Sequence, residues 1–399
     1  MIRSRSGGLI GALSFATLGT GLVQICVPLE LRQLHANPSE IGVTLAMFGF
    51  GMFAFEWVWG FVADRIGYGA PLIASQLLYA ASLVLLARAD SIVLIGAAYF
   101  LASGMMVAVG PIARSYLGTT LHARLRATGL AMLSAQWVVA EAVGAGAGGQ
   151  LIDHFPIRSV LLATAALPAV SALLLVPLFR GYAQQRGRWN AGDQARMEES
   201  RGGASLARVL VVTASMVLLF QVGLGGEMAL LPLLVTTHLG LSAASAGTAL
   251  LVVGLLGGLF LVPGGTASDR WGRRPTMIAG GVIAAFGFVL YATAGNFILV
   301  LVAAAFRALG ASLIWPAATA WLSESIPRQR HALYMGLFGE FENVGVTLGP
   351  VLGGLAWSVA GIQAAFYTYA VAALLAAVVA VVFVDRASRV PARDTVSRS

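Results

Sequence analysis

Gly60-Phe-Val-Ala-Asp64-Arg65-Ile-Gly67 and Gly265-Thr-Ala-Ser-Asp269-Arg270-Trp-Gly272 are two copies of one pattern, Gly-x-x-x-Asp-Arg-x-Gly. Asp64 and Asp269 lie 205 residues apart. Nearly the same offset relates Pro28 to Pro232 and Gly148-Gly149 to Gly353-Gly354. Several anchors at one spacing identify an internal repeat. The two halves of the chain therefore share one fold, and each copy of the pattern closes a long apolar run.

The rest of the chain decides the solvent. It is 58% hydrophobic and only 11% charged, with a mean hydropathy of +0.84. A soluble domain carries about 25% charged residues, so too few polar groups exist here to cover a water-facing surface. Apolar runs long enough to cross a bilayer recur throughout. They fall near residues 9–31, 41–63, 70–88, 92–113, 127–151 and 158–179, and again near 209–236, 243–267, 276–295, 297–321, 332–357 and 361–384. This predicts an all-α membrane protein of twelve transmembrane helices in two pseudo-symmetric six-helix bundles. Residues 1–179 form the first bundle and 209–384 the second. The hydrophilic stretch 180–208 is a linker and 385–399 a tail. The first run is too long for the apolar core of a signal peptide, so it reads as an uncleaved helix.

The net charge is +8 and every basic residue is arginine. One set of loops holds Arg3, Arg5, Arg65, Arg124, Arg126, Arg270, Arg273, Arg274, Arg328 and Arg330, together with the arginines of the linker and the tail. The opposite loops hold Arg32, Arg88 and Arg158. That asymmetry is the positive-inside pattern. It assigns the charge to membrane topology rather than to nucleic-acid binding. Both termini and the linker are expected in the cytoplasm, and the protein in a bacterial inner membrane.

Several chemistries lack their residues. Cys26 is the single cysteine and lies in the first apolar run, so no intrachain disulfide forms. His35, His122, His154, His238 and His331 sit in loops or at span ends without metal-ligand spacing. No phosphate-binding Gly-rich loop with lysine exists, and no nucleophile meets a base at a common depth. The expectation is no enzyme, no metal and no cofactor.

The doubled loop, the six-plus-six pattern and the long central linker resemble the major facilitator superfamily. The second copy, through Gly272, Arg273 and Arg274, matches that family's loop motif in full. The first departs from it, with Tyr68 and Gly69 where the family carries a basic pair. The resemblance implies two rigid bundles that rock about a central site. It also implies that Gly60, Asp64, Arg65, Gly67, Gly265, Asp269, Arg270, Gly272, Arg273 and Arg274 act as gating loops at helix ends. Gly345-x-x-x-Gly349-Pro350-x-x-Gly353-Gly354, in the eleventh span, resembles the Gly-Pro motif that the family's antiporters carry in helix 5. The fifth span here has Gly144, Gly146, Gly148 and Gly149 but no proline. Small residues at this spacing also serve close helix packing.

Ionisable groups at membrane depth are costly and mark function by default. At the helical rise, Arg307 lies about 15 Å into the tenth span. Glu340 and Glu342 lie about 12 and 15 Å into the eleventh. Glu227 sits nearer the periplasmic end of the seventh span, and Glu141 just past the middle of the fifth. Arginine stays charged, so Arg307 needs an acid or a wet cavity, and it is expected to pair with Glu340 or Glu342. Those two acids point about 200° apart. Glu342 falls on the Gly345/Gly349/Gly353 face. Glu340 shares a stripe with Asn343 and Thr347 that reads as cavity-facing, which makes it the preferred substrate or proton group. The resemblance places helices 1, 4, 7 and 10 around the cavity. These bring Gln24, Met105, Met106, Gln221, Glu227, Arg307 and Trp315 toward it. The fourth span lacks the arginine that many proton antiporters of the family carry there.

The expected function is proton-coupled export of a small amphipathic molecule by alternating access, with the protein acting as a monomer. Its partners are a small-molecule substrate, protons and the lipid bilayer. Uptake of a sugar, carboxylate or nucleoside, and a membrane sensor without turnover, are the alternatives.

Overall fold

The computed structural model describes residues 2–180, 203–326 and 331–384. It contains 12 helices long and apolar enough to cross a membrane. In chain order, α1 is Ile2–Gln33, α2 Pro38–Ile66 and α3 Gly69–Arg88. Next, α4 consists of Ile92–Met106 and Val109–Thr120 in succession, and α5 is Ala123–His154. Helix α6 consists of Ile157–Thr164 and Ala166–Phe179. In the second half, α7 is Gly203–Leu233, followed by a π-helical turn, Leu234–His238. Then come α8 Ala243–Trp271, α9 Arg273–Ala292, α10 Phe297–Ser325, α11 His331–Ala360 and α12 Ile362–Phe383.

Several boundaries differ from the sequence reading, and α1 begins at Ile2 rather than near residue 9. Helix α4 runs on to Thr120 instead of ending near 113, so Arg114 belongs to a helix rather than to a loop. Hydropathy falls there because the helix has turned polar, not because it has stopped. Helix α7 begins at Gly203, inside the stretch expected as linker. Residues 181–202 of that linker and the tail 385–399 lie outside the described residues.

The two ends of the bundle are finished differently. At the end carrying the two loop motifs, α2 and α8 stop at Gly67 and Gly272, with φ of 89° and 92°. A Cβ is strained in that backbone region, which is why both copies close on glycine. At the far end α2, α4, α8 and α10 start on polar caps. The Asn37 side chain accepts from the Glu40 N–H, and Glu40 returns the bond to the Asn37 N–H, with Pro38 opening the helix. The side chains of Ser91, Ser242 and Asn296 likewise accept from the backbone N–H groups of Leu94, Ser245 and Leu299 at the starts of α4, α8 and α10. These caps satisfy donors that lipid cannot.

Within each half the same packing recurs. In the first, α1 lies against α5 and α6, while α4 lies against α2 and α3. In the second, α7 lies against α11 and α12, while α10 lies against α8 and α9. The halves meet along two seams, α2 with α11 and α5 with α8. Side chains such as Trp57, Val93, Leu173, Val262 and Val359 are exposed on the outside. Such a surface is stable only against lipid.

Both seams close at the far end. A Cβ on Gly149 would come 2.9 Å from the Gly247 Cα, and one on Gly354 would come 2.8 Å from the Gly42 Cα. The Asp153 carboxylate, at the end of α5, adds a polar tie across the seam. It accepts from the backbone N–H groups of Ala243 and Ala244 at 3.0 and 3.1 Å, at the start of α8. A carboxylate there meets free donors and the positive end of the helix dipole. Toward the motif end the seams part: a Cβ on Gly60, Gly257, Gly336 or Gly339 would meet nothing within 4 Å.

Candidate functional site

Arg307 pairs with Glu227, not with Glu340 or Glu342 as the sequence reading expected. The Arg307 Nε and the Glu227 carboxylate form an ion pair, with side chains 6% and 0% exposed. Tyr291 of α9 donates its hydroxyl to Glu227 Oε1 at 2.9 Å. The group is therefore enclosed among α7, α9 and α10, inside the second half. The expected cavity-facing placement of Glu227 and Arg307 is corrected accordingly. The expected common depth fails as well: Glu342 meets Trp315, eight residues along α10 from Arg307, and Gln221, six residues along α7 from Glu227.

The acids of α11 point elsewhere. Gly345 and Gly349 press against α7, with Cβ positions 2.6 Å from the Leu218 carbonyl and 2.5 Å from the Gly226 nitrogen. Glu342, on that face, reaches α7 and α10. Its Oε1 accepts from Gln221 Nε2 at 3.1 Å and from Trp315 Nε1 at 2.5 Å. The stripe of Glu340, Asn343 and Thr347 faces α2 along the seam rather than an open cavity. Asn343 donates to Glu56 Oε2 at 2.7 Å. A Cβ on Gly49 would lie 2.6 Å from the Thr347 nitrogen. Glu340 is half-buried, and its Oε2 has no hydrogen-bond partner among the described residues. Glu340 and Glu56 lie close enough for their charges to oppose one another.

Arg114 is exposed on α4, and its charge acts on Glu342 from the other half. In the first half, Gln24 of α1 donates to the Glu141 carboxylate of α5. Gln136 donates to Thr17 Oγ1 at 3.1 Å on the same pair of helices. Met105 and Met106 are buried in the packing of α4.

The two loop motifs are braced by different chemistry. In the second copy, Arg273 is the centre. It binds Asp269 Oδ1 and Glu324 Oε1, each at 2.6 Å, and donates to Ser268 Oγ at 2.9 Å. Arg274 donates to the Val381 carbonyl of α12. Arg270 itself is exposed. In the first copy, Tyr68 stands where the repeat has Arg273. It packs on Tyr116 with ring centroids 6.1 Å apart, and Tyr116 packs on Phe179 at 5.3 Å. Arg65 lies 4.0 Å over the Phe61 ring. An aromatic brace thus occupies the place of the ionic one.

The family model of the Major Facilitator Superfamily matches residues 9–226 and again 213–398. The chain belongs to the Major Facilitator Superfamily. The two matches fall on the two repeat halves. Superfamily membership makes it a multi-pass membrane transporter of small molecules, not an enzyme. The class C tetracycline resistance protein of Escherichia coli is 26% identical over 357 residues, covering 86% of this chain and 87% of the relative. The class B protein of the same organism is 23% identical over 349 residues, covering 84% of each chain. Among solved structures, the nucleoside transporter NupG superposes with a TM-score of 0.79 at 13% identity, over 96% of this chain and all of that one. A bacterial homologue of the human lysosomal transporter Spinster, in an inward-facing and unoccupied conformation, gives 0.74 at 12% identity over 95% of each chain. At such identities these two structures speak for the fold.

Two residues of this transporter were missed in the sequence. Arg114 lay just beyond the apparent end of a span. Asp153 gave a local signal, an acid one turn after Gly149 at the close of α5. Its partner is the start of a helix ninety residues away.

Proposed function

We propose that the protein exports a small amphipathic molecule in exchange for protons, by alternating access, as a monomer in the bacterial inner membrane. The motif end and both termini lie in the cytoplasm on this reading, as the arginine asymmetry requires. The observation that carries it is the mid-membrane seam. Glu56 from one half faces Glu340 from the other, and neither has an ion-pair partner among the described residues. With both ionised, closing the seam sets like charges together; a proton taken up there removes the repulsion. Rocking of residues 1–179 against 209–384 makes and breaks that juxtaposition, so proton occupancy and conformation are linked.

The tetracycline resistance named for both relatives supports an outward direction and a drug-like guest. Arg307 and Glu227 stay within one half, and their role is to hold α7 to α10 while the halves move. Expression in a sensitive bacterium should lower cellular accumulation of tetracycline, and a protonophore should restore it. Raised accumulation would instead mean uptake. Saturable binding without flux would mean a sensor.

A further inference from the structure

We propose that Glu342, Gln221 and Trp315 form a recognition subsite for a protonated amine on the transported molecule. The proposal rests on the transport reading above for the presence of a guest at mid-membrane. It adds which atoms hold that guest and which charge it carries.

Glu342 differs from Glu227 in having no ion pair among the described residues. Glu227 is sealed against Arg307. Glu342 has no ion-pair partner among the described residues; its Oε1 takes two neutral donors, the Trp315 indole and the Gln221 amide. Gln221 is itself 7% exposed, and its Oε1 is buried without a hydrogen-bond partner. That oxygen belongs to the amide whose nitrogen is bonded to Glu342, so an orphaned acceptor lies beside an uncompensated carboxylate. Trp315 is 37% exposed, which leaves part of its ring open beside the same acid.

A carboxylate, a neutral acceptor and an aromatic face together call for one kind of group. A protonated amine brings the charge, the N–H donors for both oxygens, and the cation that an indole face attracts. A quaternary cation supplies the charge but leaves the Gln221 oxygen unsatisfied. A neutral guest leaves both unmet. An anion is opposed by Glu342 and by Glu56, whose charge also acts there. Arg114, on the opposite half, is the positive group whose field reaches Glu342. It forms no ion pair with Glu342, so the near position is left to the guest.

The test is direct binding to the full chain in lipid nanodiscs. The probes are N-dansylcadaverine, a fluorescent amphipathic amine, and its N-acetyl derivative, in which the ammonium is replaced by a neutral amide. Binding is read as energy transfer from tryptophan to the dansyl group and as dansyl anisotropy. The wild type should bind the amine roughly tenfold more tightly than the acetylated probe. Glu342→Gln should abolish that preference, and Gln221→Ala should reduce it. Trp315→Phe should weaken the amine selectively, read by dansyl anisotropy. If Glu342→Gln fails to fold by gel filtration, Glu342→Asp and Trp315→Phe decide the matter by the same preference. Equal binding of both probes by the wild type, or an undiminished preference in folded position-342 variants, overturns the proposal. Accumulation of the amine inside everted vesicles, which is extrusion in the cell's sense, separates the two readings. Amine-selective binding without extrusion rejects export and keeps the subsite. Extrusion of the amine unchanged by Glu342→Gln rejects the subsite and keeps export.

Discussion

Gly42 of α2 and Gly354 of α11 meet across the seam so closely that a Cβ on Gly42 would lie 3.0 Å from the Gly354 Cα. Their repeat counterparts, Gly247 of α8 and Gly149 of α5, meet in the same way, with a Cβ on Gly247 2.9 Å from the Gly149 Cα. The internal duplication thus places matched backbone contacts on the two seams, both at the far end of the bundle. In a bilayer, where apolar burial gives little net drive, such close approach is a main source of helix association. It also defines what must separate when the far end opens.

Gly354→Leu is therefore a wedge against far-end closure. Each half keeps its own packing, so purified protein should remain monodisperse, with modest loss of thermal stability, about 1–3 kcal/mol if the seam cannot adjust. Extrusion should fall below roughly a tenth of wild type, about 1.4 kcal/mol or more in the population of the closed state. Spin-label distances between the ends of α5 and α8 should lengthen. Unchanged distances and flux would show that the contact is incidental.

Asp153 should bias the same equilibrium from its polar side. Replacing the carboxylate by alanine removes two hydrogen bonds and the charge at the α8 N-terminus, an effect of about 0.5–2 kcal/mol. Asp153→Ala should shift the ensemble toward a far-end-open state, with Asp153→Asn intermediate because it keeps an acceptor. Double electron–electron resonance across the α5–α8 seam reads the shift. Equal distance distributions in all three proteins would remove Asp153 from the gate.

Breaking the Arg307–Glu227 pair should cost stability rather than specificity. Arg307→Met leaves Glu227 buried without its cation, a loss of about 3–5 kcal/mol. Adding Glu227→Leu removes the stranded acid and should recover most of it. Thermal unfolding in one detergent compares the single and double variants. A double variant no more stable than Arg307→Met would contradict a structural role for the pair.

How far the sequence carried these conclusions differs by level. The doubled loop and the common offset were enough for the fold, because repeats and apolar runs are one-dimensional signals. Depth was legible only along one helix at a time, since helical rise converts residue number into ångströms but does not set one helix level with another. Azimuth was not. Arg307 turns to α7 and Glu340 to α2, and nothing in a single helix says which neighbour lies on which side. The Gly345/Gly349/Gly353 face was readable as a packing face; that it carries Glu342 toward Gln221 and Trp315 was not. Tyr68 read as a gap in the loop motif. Its aromatic brace with Tyr116 and Phe179 needs three helices to be assembled before it exists.

The two braces should respond differently to salt and substitution. Arg273→Ala removes a largely buried guanidinium shared by Asp269 and Glu324, and should destabilise the second half by about 1.5–3 kcal/mol. Tyr68→Ala removes one edge-to-face contact, worth about 0.5–1.5 kcal/mol beyond its packing. Raised ionic strength should narrow the Arg273 effect and leave the Tyr68 effect unchanged. Thermal unfolding at low and high salt checks both.

On the proposed reading the seam acids carry the coupling, and Glu340 is the group to remove. Protein reconstituted into liposomes is given an outwardly or inwardly directed pH gradient, with tetracycline at equal concentration on both sides. Wild type should move tetracycline uphill against the proton flow, and stop when a protonophore collapses the gradient. Glu340→Gln should still equilibrate a tetracycline gradient but should no longer accumulate it in response to pH. Uphill movement in Glu340→Gln equal to wild type, or wild-type flux indifferent to the gradient, would contradict proton-coupled export through this seam.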